Sequence, residues 1–166
     1  MSKRSKSELI GEIFALVRAN QVASDLFDDA AAEYLGVNRT DHRALDLIDQ
    51  HGAISAGRLA ELNRLSPAAM TTVLDRLERK GYARRFPDPE DRRRILVEAT
   101  PLVHRRADRI YGPLAEEAAK IADRYTAEEL EAIADFLARA NELSASQLER
   151  VSRLRRAPPR DGSKGA

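Results

Sequence analysis

The sequence predicts a mainly α protein that carries one small β-hairpin. Three observations lead there. Alanine and leucine are abundant while aromatics make up only 5% of the 166 residues, a balance that favours helix over sheet. Apolar residues recur at three- and four-residue spacing along most of the chain. One stretch departs from that rhythm. After Gly81 the sequence alternates, breaks at a proline-rich loop, and alternates again up to Thr100.

The bulk numbers set limits. With 43% hydrophobic and 33% charged residues, the chain suits one globular domain with a sizeable core. No apolar run is long enough to span a bilayer, and the polar N-terminus has no signal-peptide core, so residence in the cytoplasm is expected. Cysteine is absent, which removes disulfides, cysteine metal sites and thiol redox sensing together.

Residues 1–7 are polar and expected to fray. From Glu8 to about Tyr34 the pattern is helical: Leu9, Ile13 and Leu16 mark one apolar face, Ile10, Phe14 and Val17 a second. A helix apolar on two sides needs two partners, and a second subunit can supply one. Gly36 ends it. Thr40 or Asn38 caps the next helix, which presents Ala44, Leu45, Leu47 and Ile48 and stops at Gly52. Ala53-Ile54 reads as a link. Ser55 caps a brief helix with Leu59, Ala60 and Leu62, and Asn63-Arg64-Leu65 is a tight connection.

Ser66-Pro67 opens the next helix, with serine at the N-cap and proline at the first helical position. Met70, Val73, Leu74 and Leu77 form its apolar stripe, and Gly81 stops it. Tyr82–Phe86 reads as a strand, Pro87–Arg93 as a loop, and Arg94–Ala99 as a second strand. Thr100-Pro101 repeats the cap-plus-proline signal for a helix reaching about Arg124, with a kink expected near Gly112-Pro113. Thr126 and Glu129 form a capping box. The last helix repeats apolar residues near heptad spacing at Leu130, Ile133, Leu137, Ala140, Leu143, Leu148 and Val151.

The third and fourth helices with the hairpin make a winged helix-turn-helix. The expected organisation is an N-terminal dimerisation helix (1–37), a winged helix-turn-helix lobe (38–100), C-terminal dimerisation helices (101–156) and a disordered tail (157–166).

Charge points to a polyanion on one face. The net charge is only +1. Yet residues 76–94 hold eight arginines or lysines against four acids, while residues 107–150 hold ten acids against five bases. The N-terminal turn at Ser66 offers unpaired backbone N–H groups and a positive dipole end to a phosphate. Ala68, Ala69, Thr71 and Thr72 are small, so the backbone can approach base edges and methyl groups can meet thymine methyls. Arg76, one turn on, is placed to reach a phosphate. In the hairpin loop, Asp91 stands two residues before Arg93 and is expected to hold that arginine extended towards a minor groove. Arg84, Arg85, Arg92 and Arg94 supply salt-dependent phosphate attraction. Read alone, Ser66-Pro67 and Gly81 only start and stop a core helix, and arginines only solvate a surface. Their combination in one unit points to double-stranded DNA.

The run RLAELNRLSPAAMTTVLDRLERKGYARRFPDPEDRRRILVEAT, from Arg58, resembles the MarR (multiple antibiotic resistance regulator) family of bacterial transcription factors. The DPEDRRR loop followed by a strand and Thr-Pro is its most specific part, and the resemblance extends from about Glu8 to Glu149. It implies a homodimer with two winged helix-turn-helix lobes, intertwined N- and C-terminal helices, and a ligand pocket between that dimerisation domain and the DNA-binding lobe. It maps the family's acid-x-arginine wing motif onto Asp91 and Arg93. It maps the base-contacting positions onto Thr71 and Thr72, with Ser66 and Ala68 beside them, and a backbone-contacting arginine onto Arg76. Many members carry a larger polar residue where Thr72 stands. A dimer would read two half-sites about 10 bp apart or a multiple of that.

Arg18, Asn20, Tyr34, His42 and Tyr111 are polar residues on otherwise apolar helical stretches. They line either a pocket for an anionic or phenolic effector or an interface with hydrogen bonds. His42, His51 and His104 have no metal-ligand spacing, so no metal or cofactor is expected. The basic residues Arg153, Arg155, Arg156, Arg160 and Lys164 either add nonspecific DNA affinity or form a solvated terminus. No phosphate-binding loop, nucleophile elbow or cysteine nucleophile is present, and Glu116-Glu117 and Glu128-Glu129 are adjacent pairs pointing to different helix faces, so an enzyme is not expected. The leading reading is a ligand-responsive regulator, a repressor, binding a pseudo-palindromic operator as a homodimer. The alternative is a winged-helix interaction or architectural DNA-binding module with no ligand.

Overall fold

The computed structural model describes residues 4–156. In chain order the elements are α1 (Lys6–Leu35), α2 (Arg39–His51), β1 (Ile54–Ser55), α3 (Ala56–Asn63), α4 (Pro67–Arg79), β2 (Ala83–Pro87), β3 (Ile95–Ala99), α5 (Pro101–Ala122) and α6 (Ala127–Arg156). The chain divides into two compact units, one ending at Pro113 and the other beginning at Leu114. The expected tail at 157–166, with Arg160 and Lys164, lies outside the described residues, as do the side chains of Arg155 and Arg156.

Local signals set most boundaries. Ser5 and Glu8 form a reciprocal capping box, so α1 starts two residues before the expected Glu8. At its other end Gly36 takes φ 66°, the left-handed position that closes a helix. Asn38, not Thr40, caps α2: its Oδ1 accepts from the Asp41 N–H at 2.9 Å. Ser55 caps α3 and Ser66 caps α4, each accepting an N–H at 3.2 Å. Between these two helices Arg64 adopts φ 56°, a left-handed turn made without glycine. Thr126 and Glu129 make the expected capping box of α6.

Two expectations fail for tertiary reasons. Ala53-Ile54 is no simple link, because Ile54–Ser55 pairs antiparallel with β3, with Ile54 opposite Val97. The hairpin is therefore part of a three-stranded sheet in the order β1-β3-β2. Thr100 does not cap α5 with its side chain. Its hydroxyl donates instead to the Gly81 carbonyl at 2.6 Å. Pro113 lies within α5, which continues from Pro101 to Ala122.

The core of the first unit forms where α2, α3, α4 and the sheet bring their stripes together. Ala44, Ile48, Leu59, Met70, Leu74, Leu77 and Val97 are essentially inaccessible. Only the last turns of α1 contribute buried residues, through Ala31, Ala32 and Leu35. Tyr82 ties the edges. Its hydroxyl donates to the Leu35 carbonyl at 2.9 Å, and the Arg106 guanidinium lies over its ring at 5.5 Å and donates to its oxygen. The Thr100 N–H donates to the Tyr82 carbonyl at 2.9 Å. The rest of α1 keeps Leu9, Ile10, Ile13, Phe14 and Leu16 exposed. In the second unit α6 does the same with Leu130, Ile133, Leu137, Leu143, Leu148 and Val151.

Candidate nucleic-acid interface

The apolar stripe of α4 faces the core, which turns Ser66, Pro67, Ala68, Thr71, Thr72 and Asp75 outward. Three of the hydroxyls on this face are already engaged with the helix itself. Ser66 Oγ caps it. Thr71 Oγ1 donates to the Pro67 carbonyl at 3.0 Å, and Thr72 Oγ1 to the Ala68 carbonyl at 3.2 Å. The outward surface is thus small, with its hydroxyls turned to the backbone.

Arg76 was expected to point at a phosphate. The structure places its guanidinium on Asp41 of α2, with Nε 2.9 Å from Oδ2 and Nη2 2.5 Å from Oδ1. The reason is burial. Asp41 is 2% exposed, and a buried carboxylate needs a charged hydrogen-bond partner. The hydrogen bond to Asp41 holds Arg76 above its ordinary pKa.

The wing arginines divide in the same way. Arg85 donates to Asp75 Oδ1 at 2.7 Å and to the Thr71 carbonyl at 3.0 Å, and lies 3.3 Å from Glu78, so it fastens β2 to α4. Arg84 pairs with Glu98, its partner across the ladder, and stacks over Phe86. Arg94 stands 3.8 Å from Asp88. Asp91 does not pair with the Arg93 guanidinium as expected. Its Oδ1 accepts the Arg93 backbone N–H at 3.1 Å, because a carboxylate two residues upstream reaches the turn's backbone first. The Asp91 carbonyl also accepts from the Arg94 N–H at 2.8 Å, and Asp88 Oδ1 accepts from the Glu90 N–H at 2.9 Å. The loop is thereby built from acid-to-backbone bonds. Among the described residues, Arg92 and Arg93 alone of the six expected interface arginines have no carboxylate partner, and both are exposed.

Asp41, Asp75, Glu78 and Glu98 were missed in the sequence. Only Glu98 had a signal, since it falls opposite Arg84 once the hairpin register is drawn.

The expected effector residues do not gather. His42 Nε2 lies 3.0 Å from the Tyr111 hydroxyl, and Phe27 meets the Tyr111 ring edge-on at 5.6 Å. His42 and Tyr111 line a small cavity of about 80 Å³ with Leu35, Leu45, Asp46 and Val103. Arg18, Asn20 and Tyr34 are exposed and take no part in it. Burial, then the charges of Asp46 and Asp28, push the Tyr111 phenol up to about 12. Burial also raises Asp46 above the ordinary carboxylate range. A larger, open recess of about 600 Å³ is bordered by Ile48, Asp49, Arg84, Glu98, Pro101 and His104. Among the described residues no cluster of three or more acids and histidines is arranged to hold a metal ion, and no helix is long and apolar enough to cross a membrane.

Residues 37–95 match the model of the MarR family. The chain is 34% identical over 150 residues to the uncharacterized HTH-type transcriptional regulator YcgE of Bacillus subtilis, covering 90% of this chain and 97% of that one. It is 33% identical over 101 residues to the multiple antibiotic resistance protein MarR of Salmonella typhimurium, covering 59% and 70%. Its fold is similar to the crystal structure of YusO from Bacillus subtilis, with a TM-score of 0.56 at 23% identity over 84% of this chain and 99% of that one. The family and these regulators control transcription rather than catalyse a reaction. A capped helix with a small outward face, a wing tipped by exposed arginines and the extent of these similarities together establish that the chain belongs to the MarR family of DNA-binding transcriptional regulators.

Proposed function

We propose that the protein is a cytoplasmic, homodimeric repressor that binds a pseudo-palindromic operator. The face of α4 carrying Ala68, Thr71 and Thr72 enters the major groove, and the wing tip enters the neighbouring minor groove. The observation that carries this is the pair of exposed arginines at the tip, Arg92 and Arg93, which have no carboxylate partner among the described residues and stand on a loop whose backbone is braced by Asp88 and Asp91. A narrow minor groove attracts arginine through its negative potential. Two lobes must be held at fixed spacing to read half-sites. The apolar rows of α1 and α6 are the surfaces that support pairing, at residues 1–37 and 101–156. An effector of the cavity at His42 and Tyr111 would act by favouring a dimer with badly spaced lobes.

A mobility-shift titration on the duplex upstream of the protein's own gene tests the reading. Binding by the intact protein and its loss in Arg93→Ala are expected; equal binding by both removes the wing from the interface. Light scattering at micromolar concentration is expected to give the mass of two chains, and a monomer overturns the dimer.

A further inference from the structure

The DNA-facing helix is held to its neighbour by one ion pair that crosses the lobe. Asp41, near the start of α2, is 3% exposed in its side chain, and Arg76, in the third turn of α4, is 32% exposed. Arg76 Nε reaches both carboxylate oxygens, at 3.2 and 2.9 Å, and Nη2 reaches Oδ1 at 2.5 Å. Asn38 Nδ2 also donates to Oδ2 at 3.2 Å, which adds a third donor group to the same carboxylate. Among the described residues Nη1 of Arg76 has no hydrogen-bond partner, and the side chain is 32% exposed. Arg76 also lies at the edge of α4 where the buried stripe meets the outward face, one turn after Thr72.

We propose that Asp41 is a positioning residue for DNA recognition: it fixes the roll of α4 and masks the charge of Arg76, so that Arg76 offers DNA a directed N–H edge instead of a free cation. The inference rests on α4 being the groove-reading helix. Its logic is electrostatic. A free arginine attracts any phosphate, adds about 0.9 to the salt slope of binding, and strengthens all duplexes alike. An arginine paired to a buried carboxylate keeps its donors but loses much of its long-range pull. The apolar contacts of Met70, Val73, Leu74 and Leu77 are non-directional and tolerate small rotations of the helix about its axis. A two-point contact at its edge does not. Asp41 therefore acts on selectivity, which is the ratio of affinities for the right and the wrong duplex.

The test compares the full-length protein with Asp41→Asn on two duplexes of equal length: one enriched by the wild-type protein from a random-sequence pool, and one unrelated. Fluorescence anisotropy across a salt series gives both affinities and both slopes. In Asp41→Asn the ratio of specific to unrelated affinity is expected to fall by about tenfold or more. The slope on the unrelated duplex is expected to steepen by about one, which a merely structural role would not produce. A folded Asp41→Asn protein with an unchanged ratio and slope overturns the proposal. Should Asp41→Asn fail to fold, the double variant Asp41→Asn/Arg76→Gln replaces the ion pair with a neutral hydrogen-bonded one. It is expected to lose the ratio without steepening the slope, and retention of the ratio overturns the proposal. If the wild-type protein enriches no duplex, the DNA-binding reading fails first, and the two failures stay distinguishable.

Discussion

The base and the tip of the wing treat arginine in opposite ways. At the base, Arg84 and Arg85 lie on Glu98, Asp75 and Glu78, and Arg76 on α4 lies on Asp41. At the tip, Arg92 and Arg93 have no carboxylate partner among the described residues, while Asp91 binds backbone and Asp88 divides between backbone and Arg94. A basic run in sequence is therefore not a basic surface of the same size. The cations at the base hold elements together; those at the tip remain available to a polyanion.

This contrast can be broken by substitution. The largest effect is expected from Arg92→Ala/Arg93→Ala, which should weaken operator binding by about 10- to 1000-fold at moderate salt and flatten the salt slope, with melting unchanged. A double variant that binds as well as the parent erases the distinction. Next comes Arg85→Ala. It removes charged hydrogen bonds to Asp75 and Thr71 at a site only 26% exposed. Thermal unfolding should show a loss of about 1–2 kcal/mol, with the salt slope moved far less than at the tip. A larger change in slope than in stability would place Arg85 among the DNA contacts. The smallest effect belongs to Glu98→Gln. The Arg84–Glu98 pair is solvent-exposed on the arginine side, so denaturant unfolding should change by about 0–1 kcal/mol. The freed Arg84 should slightly strengthen binding to any duplex, and weaker binding would show that the pair shapes the interface.

Much of this arrangement was legible in the sequence where the cause was local. Ser55, Ser66 and the Thr126–Glu129 box act within one helical turn, so their spacing suffices. Non-local partners hid the rest. Two residues of β1 become a strand only because Val97 lies opposite Ile54. Thr100 looks like a cap until the Gly81 carbonyl takes its hydroxyl. Arg76 looks free until the fold brings α2 against α4 and a buried Asp41 claims it. That the five polar residues do not line one cavity within the chain was readable in principle. Arg18 and Tyr34 share α1, and at 1.5 Å per residue they stand about 24 Å apart along its axis. No cavity of about 80 Å³ can be lined by both.

Tyr82 gives the wing a clamped root. Its hydroxyl is fixed to the end of α1, its ring to Arg106 of α5, and its carbonyl to the Thr100 N–H where β3 ends. The two strands run outward from this clamp, past the ties of Arg85 to α4 and of β3 to β1, to a tip that among the described residues bonds to its own turn. Such a beam works as a lever: a small rotation at the root becomes a larger excursion at the far end. A displacement of the end of α1 or the start of α5 therefore acts first on the root of the wing, and the tie of Arg85 to α4 sets how far the tip follows.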